Sequence, residues 1–113
     1  MKKTNVKVYT EFDNKYESNS FFAIKDNDVI KYIDLENNKI IVDMKNNTII
    51  KENNDYLFNI DFINKRIDIK IKKLMKFFTK EIKLIKLEKT NKSFLVRYLL
   101  IDDNIYNEYY IVY

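Results

Sequence analysis

The feature that most constrains the fold is a two-residue alternation of apolar and polar side chains, interrupted at short intervals by asparagine and aspartate. The alternation is strictest in residues 66–72, and residues 5–12 repeat it with Val6 and Val8. Because successive side chains of a strand point to opposite faces, this period is typical of strands that are buried on one side. The sequence therefore predicts a protein built of β-strands.

Asparagine and aspartate also mark the predicted turns, because the chain contains no glycine and no proline. These two residue types tolerate the left-handed backbone conformation that tight turns require. The runs between them are rich in Ile, Val, Tyr, Phe and Thr, which favour strands. Ten short strands at this spacing predict an antiparallel barrel or sandwich. The predicted strands cover residues 5–12, 15–25, 28–34, 39–45, 48–52, 55–61, 66–72, 74–79, 93–102 and 105–113.

Residues 71–89 allow a second interpretation. Their apolar side chains also fall at helical spacing, with lysines along the opposite side, which is the pattern of an amphipathic helix. Periodicity alone does not decide between the two structures. A short helix within residues 79–89 therefore stays open, as does a longer helix through residues 71–89. The apolar positions at this spacing are Ile71, Leu74, Met75, Phe78, Ile82 and Ile85.

The residue types that are missing exclude many kinds of active site. Without His and Cys the chain cannot form a Cys/His zinc site, a thiolate nucleophile or a Ser-His-Asp triad. Without Gly it has neither a Walker loop nor a dinucleotide-binding loop. We therefore predict a protein that is not an enzyme, with no catalytic residue, no metal site and no cofactor.

The length of 113 residues corresponds to one domain, and 46% apolar residues are enough for one core. A single domain over residues 1–113 is predicted. Residues 1–7 begin with a basic pair but no apolar run follows them, and no stretch of 18 apolar residues occurs in the chain. These features predict a cytoplasmic protein without a membrane partner.

The order of the predicted strands resembles the YwiB-like family of bacterial proteins, which have a calycin-like β-barrel fold and no established activity. The resemblance rests on residues 29–36, on a central hairpin at 48–62 and on strands at 67–71 and 94–100. It implies a single antiparallel, calycin-like barrel of 8 to 10 strands. The family has glycines in the central hairpin and near a later turn, and this chain has none there.

Two tyrosines and an arginine are the candidate ligand-binding residues. Tyr32 and Tyr98 lie on strands at positions expected to face the interior, where a small barrel either packs solid or holds one small ligand. Arg97 stands among apolar side chains, where a guanidinium needs an anionic partner. Two partners could satisfy this need: the carboxylate of Glu108 on the next strand, or an anion bound inside the barrel. The sequence thus predicts a barrel that binds a small apolar or anionic ligand, with a solid interior as the alternative.

The strand predicted at residues 93–102 is apolar on both faces, unlike a strand that is buried on one side only. Leu95, Leu99 and Ile101 belong to its second face. Either an internal segment such as residues 79–89 covers this face, or the face is an interface with another protein or a second copy of the chain. An interaction module or homodimer through Leu95, Leu99 and Ile101 is the alternative prediction for function.

Positive charge is concentrated in one part of the chain. The whole sequence has a net charge of +4, whereas residues 65–92 contain eleven basic and three acidic residues. Together with Phe77 and Phe78, this segment could form a basic groove for single-stranded nucleic acid. Alternating lysines are also what keeps a sheet soluble. Nucleic acid is therefore the less favoured of the predicted partners.

Overall fold

Ten antiparallel strands form a closed barrel in the computed structural model of the protein, which describes residues 1–113. Each strand pairs with the next one along the chain, and β1 pairs with β10 to close the barrel. The predicted all-β antiparallel barrel is thereby confirmed. The strands are β1 Lys2–Phe12, β2 Lys15–Asp26, β3 Val29–Ile33, β4 Lys39–Asp43, β5 Thr48–Glu52, β6 Tyr56–Asp61, β7 Arg66–Ile71, β8 Lys76–Lys89, β9 Ser93–Leu100 and β10 Ile105–Val112.

Asparagine and aspartate make most of the turns, as the lack of glycine requires. Asp13 and Asn14, with φ angles of 50° and 67°, form the two-residue turn between β1 and β2. Positive φ at both central positions suits the twist of a hairpin. Six of the eight residues with positive φ are Asn or Asp, and the two exceptions are Lys65 and Met75. Neither exception follows from side-chain type, because long side chains disfavour this conformation.

The helix considered for residues 79–89 is wrong, because this segment belongs to β8. The first part of β8 pairs with β7 and the second part with β9, and the register with β9 shifts between Leu84 and Lys86. Such a β-bulge inserts one extra residue into the alternation. Ile82, Leu84 and Leu87 therefore all pack on the core. Ile85, which suggested helical spacing together with Ile82, is the extra residue of the bulge and is half-exposed. The helix considered for residues 71–89 is wrong as well, because the end of β7, a turn and β8 cover this range. No segment of the structure is a helix of membrane-spanning length and hydropathy.

The core lies inside the barrel, where the inward-facing side chains of the strands pack together with Met44 and Phe62, which follow β4 and β6. β6 contributes the partly buried Phe58 and Ile60. Phe62 packs against Tyr98, with ring centroids 5.3 Å apart. Complete burial of each large apolar side chain contributes about 1.5–3 kcal/mol. This part of the interior is filled by the chain itself. The apolar side chains with the least exposure are Val6, Ile30, Val42, Phe62, Phe94, Val96 and Ile111.

The wall of the barrel opens between β2 and β3. β2 pairs with β1 along its whole length, but only its last four residues, Ala23 to Asp26, pair with β3. Beyond the pair of Ala23 and Tyr32 the two strands separate. The separation leaves one edge of residues 15–22 without a neighbouring strand and creates the depression described next.

Candidate functional site

A groove of about 590 Å³ lies over the place where β2 and β3 separate. Phe22 and Ile24 border it from β2 and Ile33 borders it from β3, with 88%, 40% and 53% of their surfaces exposed. Their side chains point outward, since the intervening residues Ala23 and Tyr32 are buried. The groove is therefore an apolar depression on the outer wall. We call it the β2–β3 groove, and its lining residues are Lys3, Thr4, Phe22, Ala23, Ile24, Lys31, Tyr32, Ile33 and Lys39.

The charges around the β2–β3 groove are all positive. Lys3, Lys31 and Lys39 line it, no carboxylate does, and none of the three ammonium groups forms a salt bridge. The nearest acid in register is Glu52, which pairs with Lys39 across β4 and β5. Its carboxylate instead binds the Nζ of Lys72 at 2.7 Å, and this hydrogen bond lowers the pKa of Glu52. None of the three lysines is therefore held in a direct ion pair, although the charge of Lys39 also acts on Glu52.

A second depression of about 740 Å³ lies beside the first, at the turns that connect β2 to β3 and β4 to β5. Its lining is polar and its charges are balanced, because Asp26, Asp28 and Asp43 alternate there with lysines. The carboxylate of Asp43 already accepts hydrogen bonds from the backbone N–H groups of Lys45 and Asn46. This depression therefore has the character of a solvated turn surface.

Tyr32 connects the β2–β3 groove to the interior. Its hydroxyl lies 2.6 Å from the hydroxyl of Tyr109 on β10, so one hydrogen bond crosses the barrel. Phe21 stacks on the Tyr32 ring with centroids 4.8 Å apart. Burial raises the pKa of both phenols, which therefore remain neutral at physiological pH. The Tyr32 ring is held in place from inside, while its strand forms part of the groove.

Arg97, Tyr98 and Tyr32 do not form one site. Tyr98 faces the interior, where burial raises its pKa to about 12. Arg97 is its neighbour in sequence and therefore points to the outer face of β9. There its Nε donates a hydrogen bond to the Oε1 of Glu108, and this bond raises the pKa of Arg97. The ion pair considered from the sequence is present, and the placement of Arg97 does not fit an anion held inside the barrel.

Leu95, Leu99 and Ile101 occupy the outer side of β9 and the turn after it. Leu95 and Leu99 are half-buried, and 47% of the surface of Ile101 is exposed. Residues 79–89 lie beside β9 in the same sheet, so the expectation that this segment covers the second face is wrong. Instead, Leu95 and Leu99 are flanked by Tyr110 and Tyr106, which are their partners in register on β10.

The lysines of residues 65–92 do not line a single groove. Lys72, Lys80 and Lys86 form salt bridges with Glu52, Asp103 and Glu88, each on a different part of the surface. The side chain of Lys89 donates to the carbonyl oxygen of Met44. No three acidic side chains come together as a metal site.

Sequence reasoning missed the β2–β3 groove, although a signal was present. Phe21, Phe22, Ala23 and Ile24 are four consecutive apolar residues of β2, so this strand is apolar on both faces in the same way as β9. Comparisons of the chain with protein-family models, curated proteins and solved structures found no match. The resemblance to YwiB-like proteins thus stays a prediction, and the proposal for function rests on the site itself.

Proposed function

We propose that the protein is a non-catalytic barrel that binds a small ligand with an apolar body and a negatively charged group. The ligand would lie in the β2–β3 groove, with its apolar part on Phe22, Ile24 and Ile33 and its anionic group among the lysines. The observation that carries this proposal is the combination of exposed apolar side chains with Lys3 and Lys31, which have no ion-pair partner. A volume of about 590 Å³ is within the usual range of small-molecule sites.

The groove is a better place for such a ligand than the interior. Phe62, Phe94 and Ile111 have no exposed surface, which indicates that the chain fills this part of the barrel. The hydrogen bond between Tyr32 and Tyr109 crosses the remaining space. No basic side chain with a free charge is buried in the core, whereas an anion needs a charged or hydrogen-bonding partner when it leaves water.

Dodecanoate is a suitable probe, because it combines a flexible apolar chain with one carboxylate. At the efficiency of about 0.3–0.4 kcal/mol per non-hydrogen atom that is typical of ligands of this size, its Kd is about 0.1–1 mM. Isothermal titration calorimetry below the concentration at which dodecanoate forms micelles would measure this affinity. Dodecyltrimethylammonium, which is soluble and has the same chain with the opposite charge, is expected to bind several-fold more weakly.

Two matched pairs of variants test the assignment of the groove. Phe22→Ser and the double variant Lys31→Glu/Lys39→Glu are expected to weaken dodecanoate binding at least five-fold, since they remove apolar contact area and reverse the local charge. Phe12→Ser and Lys92→Glu, which change exposed residues outside the groove, should bind like the parent protein. Equal affinity of all four variants, or no binding by the parent protein, would rule the proposal out.

A second candidate function is a protein-interaction module, and the free edge of β2 is the observation that favours it. In the pairing of β1 with β2, the hairpin geometry directs the N–H and C=O groups of Tyr16, Ser18 and Ser20 away from β1. An unpaired edge of this kind can add a strand from another chain. Ser18→Pro removes one N–H group on that side, so it should abolish any concentration-dependent dimer seen by light scattering. Dimers that persist in this variant would instead favour an interface formed by Leu95, Leu99 and Ile101.

A further inference from the structure

The turn between β7 and β8 presents an unusual group of apolar side chains to water. Leu74 and Met75, which the sequence predicted within a strand, lie in the turn itself with 59% and 65% of their surfaces exposed. Phe77 and Phe78 follow at the start of β8 and are 69% and 49% exposed. Phe77 and Phe78 point to opposite faces of β8, so the hairpin exposes large apolar side chains at its end and on both sides. Exposed apolar groups concentrated in this way usually mark an interaction site. We call residues 72–78 the β7–β8 tip.

The conformation of the turn adds to this observation. Met75 has a φ angle of 50°, in the left-handed region that disfavours a long side chain. At six comparable positions elsewhere in the chain an Asn or Asp takes this conformation. Asn at position 75 would therefore relieve both the backbone strain and the exposure of an apolar side chain. The apolar tip is thus not explained by the needs of the turn.

Positive charge surrounds the tip. Lys70, Lys73 and Lys76 form no salt bridge, and the Nζ of Lys70 lies 5.7 Å from the centre of the Phe77 ring. The carboxylates of Glu52, Asp68 and Asp103 near this hairpin already bind Lys72, Thr79 and Lys80, respectively. The neighbouring turn contributes Asp55, so the tip keeps an excess of positive charge.

We propose that the β7–β8 tip docks on the surface of an anionic lipid bilayer. Leu74 and Met75 would enter the boundary between headgroups and acyl chains, and Lys73 and Lys76 would contact anionic headgroups, as in other interfacial anchors. Aliphatic side chains at the extreme end of the hairpin favour a bilayer over a nucleic acid, whose bases stack on aromatic rings. This proposal departs from the prediction of no membrane partner, which considered only segments that could cross a bilayer. It does not involve the β2–β3 groove and is independent of the function proposed for it.

The natural chain has no tryptophan, so Phe77→Trp places a single fluorescent reporter at the tip. With phosphatidylcholine vesicles that contain about one third phosphatidylserine, the emission is expected to shift to shorter wavelength and the protein to co-sediment. Vesicles of pure phosphatidylcholine should bind it much more weakly, and added salt should release it. Absence of any shift or co-sedimentation with the anionic vesicles would overturn the proposal.

Two variants of the tip separate the contributions that its apolar and its charged side chains make to vesicle binding. Leu74→Ser/Met75→Asn is expected to reduce partitioning about ten-fold, since it removes the two apolar side chains at the end of the hairpin. Lys73→Gln/Lys76→Gln should reduce partitioning about 25-fold, because each lysine near an anionic surface strengthens binding about five-fold. Ile63→Ser and Lys45→Gln/Lys65→Gln are the controls, because they alter exposed residues of turns at the opposite end of the barrel.

Three results would contradict lipid docking. The first is that the tip variants bind anionic vesicles as well as the parent protein does. The second is that the control variants lose as much binding as the tip variants, which would indicate a general effect of net charge. The third is that a single-stranded oligonucleotide binds at the tip and competes with the vesicles, with Phe77→Ala removing nucleic-acid binding. That result would assign the tip to nucleic acid instead.

Discussion

The hydrogen bond between the hydroxyls of Tyr32 and Tyr109 provides the sharpest test of how the interior supports the groove. At 2.6 Å it joins β3 to β10 across the barrel. Tyr32→Phe or Tyr109→Phe alone leaves the other hydroxyl without its partner inside the barrel. The expected cost is about 1–3 kcal/mol for each single variant. Replacement of both tyrosines removes both polar groups and keeps both rings, so the double variant should be no less stable than either single one.

Urea unfolding of the four proteins completes a double-mutant cycle for this pair. A coupling energy at least as large as the loss in one single variant, about 1–3 kcal/mol, is expected, with the double variant more stable than the sum of the single effects predicts. In thermal unfolding, each single variant should melt about 4 °C lower per kcal/mol lost. Single variants as stable as the parent protein, or a double variant whose loss equals the sum of the two, would refute the reasoning.

Three further predictions concern stability. Burial raises the pKa of Tyr98 to about 12, whereas the usual pKa of a tyrosine is about 10. The stability that the neutral phenol gives to the folded state is therefore complete below pH 10 and is lost as the pH rises through 12. Urea unfolding above pH 10 should show this loss, and Tyr98→Phe should reduce it. Asn38, which is 1% exposed, accepts a hydrogen bond from Asn53 and donates one to Asp34, so Asn38→Ala should lower the unfolding free energy by about 1–3 kcal/mol in urea. Asp61 accepts hydrogen bonds from backbone N–H groups of the turn after β6, and these bonds lower its pKa. The stability that the ionised carboxylate gives to the folded state is therefore lost as the pH falls below about 4. Asp61→Ala should lower the free energy of unfolding at pH 7 by about 1 kcal/mol and flatten its decline in acid.

The strands were predictable because their pattern is local. In β7 the buried Ile67 alternates with more exposed neighbours, and this alternation is visible in the sequence without knowledge of the rest of the fold. The turns at Asp13 and Asn14 were predictable for the same reason, since in a chain without glycine few other residues adopt positive φ. Nine of the ten predicted strands correspond to strands of the barrel with small changes at their ends.

The misassigned elements depend on long-range pairing. Whether Ile82 and Ile85 belong to a helix or to a bulged strand is decided by the register of β8 on β9, which no local pattern contains. The groove depends in the same way on where β3 leaves β2. Phe22 therefore looked like part of an ordinary strand, and the sequence did not show that its side chain lies on the outer face just beyond the part of β2 that pairs with β3.

Arg97 illustrates a different limit. Its apolar neighbours in the sequence predicted an anionic partner, with Glu108 as one candidate. In the structure Arg97 donates a hydrogen bond to the carboxylate of Glu108. The sequence alone did not show which face of β9 carries this pair, because both faces are apolar. Only the burial of Tyr98 assigns Arg97 to the outside, where it is separated from Tyr32 and from the interior.

Backbone amide NMR during a titration with dodecanoate tests the account most directly, since it locates the ligand and reports on the barrel at the same time. The largest shift changes are expected at Phe22, Ile24 and Ile33, with only small changes at Phe94 and Ile111 in the filled interior. Changes that are largest at Phe94 and Ile111 would place the ligand inside the barrel. A spectrum that does not change at millimolar dodecanoate would contradict the proposed binding function altogether.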